Sequence, residues 1–75
     1  MHFVIYSIPD CRNCLYAKIM IEDYECTFEE RPVAEGDREH ICKTAGAASF
    51  PLIYTRGMLV GGFDALAHFL GKNIK

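Results

Sequence analysis

Pro9-Asp10-Cys11-Arg12-Asn13-Cys14 sets two cysteines with two residues between them, just after the apolar run Phe3-Val4-Ile5-Tyr6. Leu15, Ile19 and Met20 follow at helical spacing, so the pair stands at a joint between strand and helix. A Cys-x-x-Cys at such a joint is a redox signature with a physical basis. The first N–H groups of a helix lack partners, and that end carries partial positive charge. A thiolate is stabilised there, and thiol pKa values fall from about 8.5 into a range of roughly 3.5–7.5 at such sites. Cys11 is expected at the helix mouth, exposed, with Cys14 one turn in, shielded. That asymmetry makes Cys11 the attacking thiol and Cys14 the resolving one.

Composition narrows the setting. The 75 residues are expected to form one domain over positions 1–75, with one core. A hydrophobic fraction of 51% fits a packed globule and excludes a disordered tail. The net charge of −2, without a basic cluster, favours neither nucleic acid nor an anionic membrane. The opening residues are too short an apolar run for a signal peptide, and no run reaches the roughly 18 apolar residues of a membrane span. The expected compartment is the cytoplasm, where thiols are kept reduced and a paired Cys motif is more often catalytic or metal-binding than a structural staple.

The remaining pattern yields a coarse layout. Residues 3–6 read as a buried strand ended by Pro9-Asp10. Residues 12–24 read as a helix with Leu15, Ile19 and Glu22 on one side and Lys18 and Asp23 solvated. Residues 26–31 read as an edge strand stopped by Pro32, and the short crossover makes it parallel to the first. Asp37 is a cap for a helix over residues 37–45, with Ile41 and Ala45 inward and Gly46 ending it. Residues 52–55 and 58–60 form an antiparallel hairpin about Arg56-Gly57. After Gly61-Gly62, residues 63–70 form a last helix, with Phe63, Leu66 and Leu70 on one face. The predicted fold is α/β: a four-stranded mixed sheet with three helices on both faces, in the order β-α-β-α-β-β-α.

In this arrangement the chain resembles the glutaredoxins, small members of the thioredoxin-like fold, over essentially its whole length. Cys11-Arg12-Asn13-Cys14 with Ala17-Lys18 is similar to the family's Cys-Pro-Tyr-Cys followed by Ala-Lys. Ser49-Phe50-Pro51-Leu52 looks like its Thr-Val-Pro, and Gly61-Gly62-Phe63-Asp64 like the Gly-Gly-x-Asp that opens its last helix. The resemblance implies a cis Pro51 beside the cysteines, with the Phe50 backbone turned outward to pair with an extended peptide or glutathione. It also implies that Tyr6 lines the substrate groove. Gly62 allows close backbone approach, and the helix start at Phe63 and Asp64 offers N–H groups and a carboxylate for a γ-glutamyl end. Arg12 supplies positive charge beside the thiolate, opposed by Asp10. Ile8 departs from the pattern, since the family usually carries lysine there to meet the glutathione carboxylate.

The implied activity is glutathione-dependent thiol–disulfide exchange by a monomer. Glutathione is the co-substrate, no cofactor is tightly bound, and no metal is held. Protein disulfides or glutathione mixed disulfides are the substrates, ribonucleotide reductase being one candidate electron acceptor. Two other classes stay open. One is a redoxin of the same fold regenerated by thioredoxin reductase, to which Ile8 leans. The other is a zinc module from Cys11, Cys14, Cys26 and Cys42, which lacks a second Cys-x-x-Cys. Cys26 and Cys42 otherwise read as buried small hydrophobes. Ser7 stands where it could hydrogen-bond near the thiolate, and Lys18 reads as a solvated helix residue.

Overall fold

The computed structural model describes residues 1–73. Its elements are β1 (His2–Ser7), α1 (Arg12–Asp23), β2 (Thr27–Pro32), a 3₁₀ turn (Glu35–Asp37), α2 (Arg38–Ala45), β3 (Leu52–Thr55), β4 (Met58–Gly61) and α3 (Phe63–Asn73). The order is the expected one. The strands form one sheet, β2-β1-β3-β4, with β1 parallel to β2 and antiparallel to β3. β3 and β4 form the hairpin, with Arg56 and Gly57 at φ 53° and 77°, the positive values that a tight two-residue turn needs.

β1 explains why helices lie on both faces. Phe3, Ile5 and Ser7 are buried while Val4 and Tyr6 are half-buried, the two-residue alternation of a strand. Phe3 and Ile5 join Ala17 and Ile21 of α1 and Leu66 and Leu70 of α3 in one apolar cluster. Tyr6 packs on the opposite side, where Val33, Phe50 and Leu52 meet Ile41 and Ala45 of α2. Burying such a side chain contributes about 1.5–3 kcal/mol, and the two clusters clamp the sheet from both sides.

Helix α1 departs from its expected orientation. Its buried side is Cys14, Ala17 and Ile21, whereas Leu15 and Ile19 are 52% and 46% exposed. Apolar residues occupy both sides of this helix, so periodicity alone does not choose between them. The fully buried Ala17 lets the helix lie close on the sheet, and the i, i+3, i+7 stripe through it takes the core. Lys18 is also not free in solvent. Its ammonium pairs with Glu30 at 3.0 Å.

The helix ends account for the two cysteines outside the motif. α1 closes at Asp23 through paired bonds from Glu25 N–H to Glu22 carbonyl and from Cys26 N–H to Ile21 carbonyl, with Glu25 at φ 59°. α2 closes in the same way: Gly46 N–H meets Lys43 and Ala47 N–H meets Cys42, with Gly46 at φ 72°. This is the Schellman closure, which brings an apolar contact across the last turn. Cys26 and Ile21 share one cluster, and Cys42 and Ala47 both pack on the other. Cys26 therefore precedes β2 and is not its first residue. Asp37 stands before α2, yet its side chain makes no capping bond, because the 3₁₀ turn leads into the helix. α3 runs past residue 70, through Gly71, to Asn73.

Candidate active site

Cys11 is the N-cap residue of α1, in extended conformation, and its Sγ accepts the N–H of Cys14 at 3.1 Å. A side-chain oxygen does this work at ordinary helix starts. Here a sulfur does it, at the positive end of the helix. Cys11 and Cys14 form a disulfide with Cα atoms 5.2 Å apart. Cys14 is 3% exposed, while Cys11 is half-buried and reaches the surface.

The other two predicted segments arrive at the same rim. The Phe50–Pro51 bond is cis, and the Phe50 carbonyl oxygen lies 3.9 Å from Cys11 Sγ. Gly61 has φ 130°, and a Cβ there would stand 2.7 Å from the Ala65 side chain, so the turn admits only glycine. A Cβ on Gly62 would lie 3.7 Å from the Pro51 carbonyl oxygen, so this turn adjoins the proline. The Gly62 carbonyl takes the N–H of Leu66, leaving the N–H groups of Phe63 and Asp64 outside the helical ladder. Asp64 is exposed in that first turn. The Phe63 ring lies 5.9 Å from that of Tyr16, which ties the start of α3 to α1.

Around the disulfide, a cleft is lined by Ile8, Asp10, Arg12, Leu15, Lys18 and Glu30. Arg12 is exposed there, and Asp10 turns the chain at φ 55°. Tyr6 packs against the cluster of Cys14 and Phe50 but does not line this cleft. Its ring meets Tyr54 edge-on at 5.6 Å, its hydroxyl accepts from Arg31 at 3.2 Å, and it lines a separate groove with Arg31 and Arg56.

Two features have no clear signal in the sequence. Glu30 accepts from Ser7 at 2.8 Å and Lys18 at 3.0 Å, and these bonds, Ser7 first, hold its carboxyl below the usual glutamate range. The available hint was spacing, since Glu30 shares a strand face with Phe28, which packs on the core. The second is Arg38, at the start of α2. Its buried Nε has no hydrogen-bond partner among the described residues, and it lines a cleft with Lys43, Ser49 and Phe50. The four cysteines do not converge: Cys26 and Cys42 lie in different clusters, on opposite faces of the sheet. Among the described residues, no group of three or more His, Cys, Asp or Glu could hold a metal ion.

A dithiol at a helix mouth, beside a cis-proline and over this mixed sheet, defines a thioredoxin-like dithiol protein. The fold matches glutaredoxin 1 of Francisella tularensis with a TM-score of 0.84 at 21% identity, over 95% of this chain and 93% of that one. The sequence is 31% identical over 67 residues to glutaredoxin 1 of Rickettsia prowazekii, covering 84% of this chain and 70% of the relative. It is equally similar to glutaredoxin 1 of Rickettsia conorii, of whose length it spans 66%. No family model matches the chain. The chain belongs to the glutaredoxin family.

Proposed function

We propose that this protein is a dithiol oxidoreductase in which Cys11 attacks and Cys14 resolves. The observation that carries this reading is the N–H of Cys14 aimed at the accessible sulfur of Cys11. In the reduced protein, Cys11 Sγ attacks one sulfur of a substrate disulfide. A Cys11–substrate bond forms, the substrate's own S–S bond breaks, and the departing thiolate takes a proton from water. Cys14 then attacks Cys11 Sγ, the Cys11–Cys14 bond forms, and the substrate leaves with its second thiol. Tethering makes this second step intramolecular and fast. Two molecules of glutathione return the protein to the dithiol and leave as glutathione disulfide.

Glutathione fits the rim described above. Its cysteinyl part pairs with the Phe50 backbone beside Pro51. Its γ-glutamyl end meets the N–H groups of Phe63 and Asp64, the Asp64 carboxylate and the close-approach turn at Gly62. Ile8 cannot meet the glycine carboxylate, and Arg38, with its unpartnered Nε beside Phe50, supplies that charge instead. The resemblance to glutaredoxins supports protein disulfides, ribonucleotide reductase among them, and glutathione mixed disulfides as substrates. It also supports a cytoplasmic monomer, one domain over residues 1–75, without a tightly bound cofactor. Ile8 favours one rival, regeneration by thioredoxin reductase.

A paired assay decides. Reduction of a protein disulfide is followed with glutathione and its reductase, and separately with thioredoxin reductase. Turnover in the first and not the second is expected, and the reverse would establish the rival. Cys11→Ser abolishes exchange, whereas Cys14→Ser loses protein-disulfide reduction and keeps deglutathionylation. Unchanged protein-disulfide reduction in Cys14→Ser would refute the resolving role.

A further inference from the structure

The dithiol cleft has a charged wall that the exchange reaction as written does not use. Lys18 follows Cys14 by four residues, so both lie on one side of α1. Its Nζ donates to Glu30 Oε2 at 3.0 Å, and the Oγ of Ser7, buried at the end of β1, donates to the same oxygen at 2.8 Å. Cys11, Cys14, Lys18 and Glu30 line one cleft. Lysine carries its charge on a flexible four-carbon stem. Here that stem is tethered, because Ser7 fixes the carboxylate and the carboxylate fixes the ammonium. The lowered carboxyl of Glu30 keeps the tether charged at neutral pH.

We propose that Lys18, held by Glu30 and Ser7, is a positioning residue whose charge favours the thiolate of Cys14 in the resolving step, with Glu30 tempering that charge. The inference rests on the resolving role of Cys14. In that step the Cys14 thiol releases its proton to water in the cleft. Its sulfur bonds to Cys11 Sγ as the Cys11–substrate bond breaks, and the substrate thiolate takes up a proton. Lys18 transfers none. The other charged groups on the cleft are Asp10 and Arg12, which flank Cys11 with opposite signs. Tyr6 of β1, Cys42 of α2 and Tyr54 of β3 are the remaining titratable members of the apolar cluster around Cys14.

The test titrates Cys14 in a Cys11→Ser background that also carries Cys26→Ala and Cys42→Ala, by the ultraviolet absorbance of its thiolate. Lys18→Met raises the midpoint and Glu30→Gln lowers it, each by at least a few tenths of a pH unit, the order expected for a nearby charge in a partly aqueous cleft. Lys18→Arg, which keeps the charge, leaves the midpoint within about a tenth of a unit of the parent. A network that only supports the fold would move Met and Gln variants together or not at all. Any pattern other than opposite shifts, with Arg neutral, overturns the proposal. The titration needs no turnover, so its failure is separate from failure of the resolving role, which shows as unchanged protein-disulfide reduction in Cys14→Ser.

Discussion

The backbone N–H of Cys14 points at the sulfur of Cys11 from 3.1 Å. A hydrogen bond to a charged acceptor is worth about 1.5–3 kcal/mol, or about 1–2 pH units of thiol pKa. Cys11 in the reduced protein should therefore be alkylated with a midpoint well under the free-thiol value of about 8.5. Cys14→Ser keeps the N–H and the low midpoint. Cys14→Pro removes the N–H, in a first turn where proline is tolerated, and should raise the midpoint. Equal midpoints in the two variants would assign the low pKa to another cause.

Asp64→Ala should weaken glutathione-dependent turnover roughly tenfold, as loss of one charge-assisted bond implies. Alkylation of Cys11 should be unaffected. Arg38→Ala should raise the KM for glutathione, and Ile8→Lys should lower it. If all three leave KM unchanged, glutathione does not occupy this rim.

The two sides of α1 should respond differently to truncation. Ile21 is fully buried, so Ile21→Ala should cost about 2–5 kcal/mol. Ile19 is 46% exposed, so Ile19→Ala should stay within about 0.5 kcal/mol. Urea midpoints of the two variants give the comparison, and similar losses would place both residues in the core.

Glu25 holds a left-handed conformation that costs a non-glycine residue about 1–2 kcal/mol. Part of that is offset by glycine's freedom in the unfolded chain. Glu25→Gly should raise Tm by a few degrees, and Gly46→Ala, at the matching position of α2, should lower it. A fall in Tm from Glu25→Gly would show that the glutamate side chain contributes more than the strain removes.

Folding lowers the pKa of Glu30 from a usual value of 4.5, chiefly through Ser7 and then Lys18. A depressed carboxylate stabilises the fold above its unfolded pKa, and that stability is lost as pH falls through the folded value. Ser7→Ala should thus destabilise the protein at pH 7 and by less near pH 3. Chemical denaturation at the two values measures this, and a difference that does not shrink in acid would point to packing alone.

The layout was legible where residue identity carries the signal. Gly46 announced the end of α2 because glycine is the usual occupant of its conformation. The end of α1 uses the same closure with Glu25, and no composition rule marks a glutamate there. The three rim segments are legible only together, through the resemblance to the glutaredoxins, because a lone Cys-x-x-Cys, a loop proline and a glycine pair each say little alone. Leu15 and Ile19 misled because both sides of α1 carry apolar residues, and only contact with Phe3 and Ile5 selects the Ala17 side. Arg38 and the Ser7–Glu30–Lys18 network depend on contacts between elements, which spacing within one element does not encode.

β1 lies between its parallel and antiparallel neighbours, and Thr55 Oγ1 donates to the His2 carbonyl across 53 positions of sequence. A ribosome therefore releases the reactive pair early and its surroundings late. Phe50 follows Cys11 by 39 residues, roughly 2–8 s of synthesis at 5–20 residues per second. Until β3 emerges, β1 lacks its antiparallel partner, and the two motif cysteines share a nascent chain with Cys26 and then Cys42. The order of translation gives mispairing a window that the finished sheet closes.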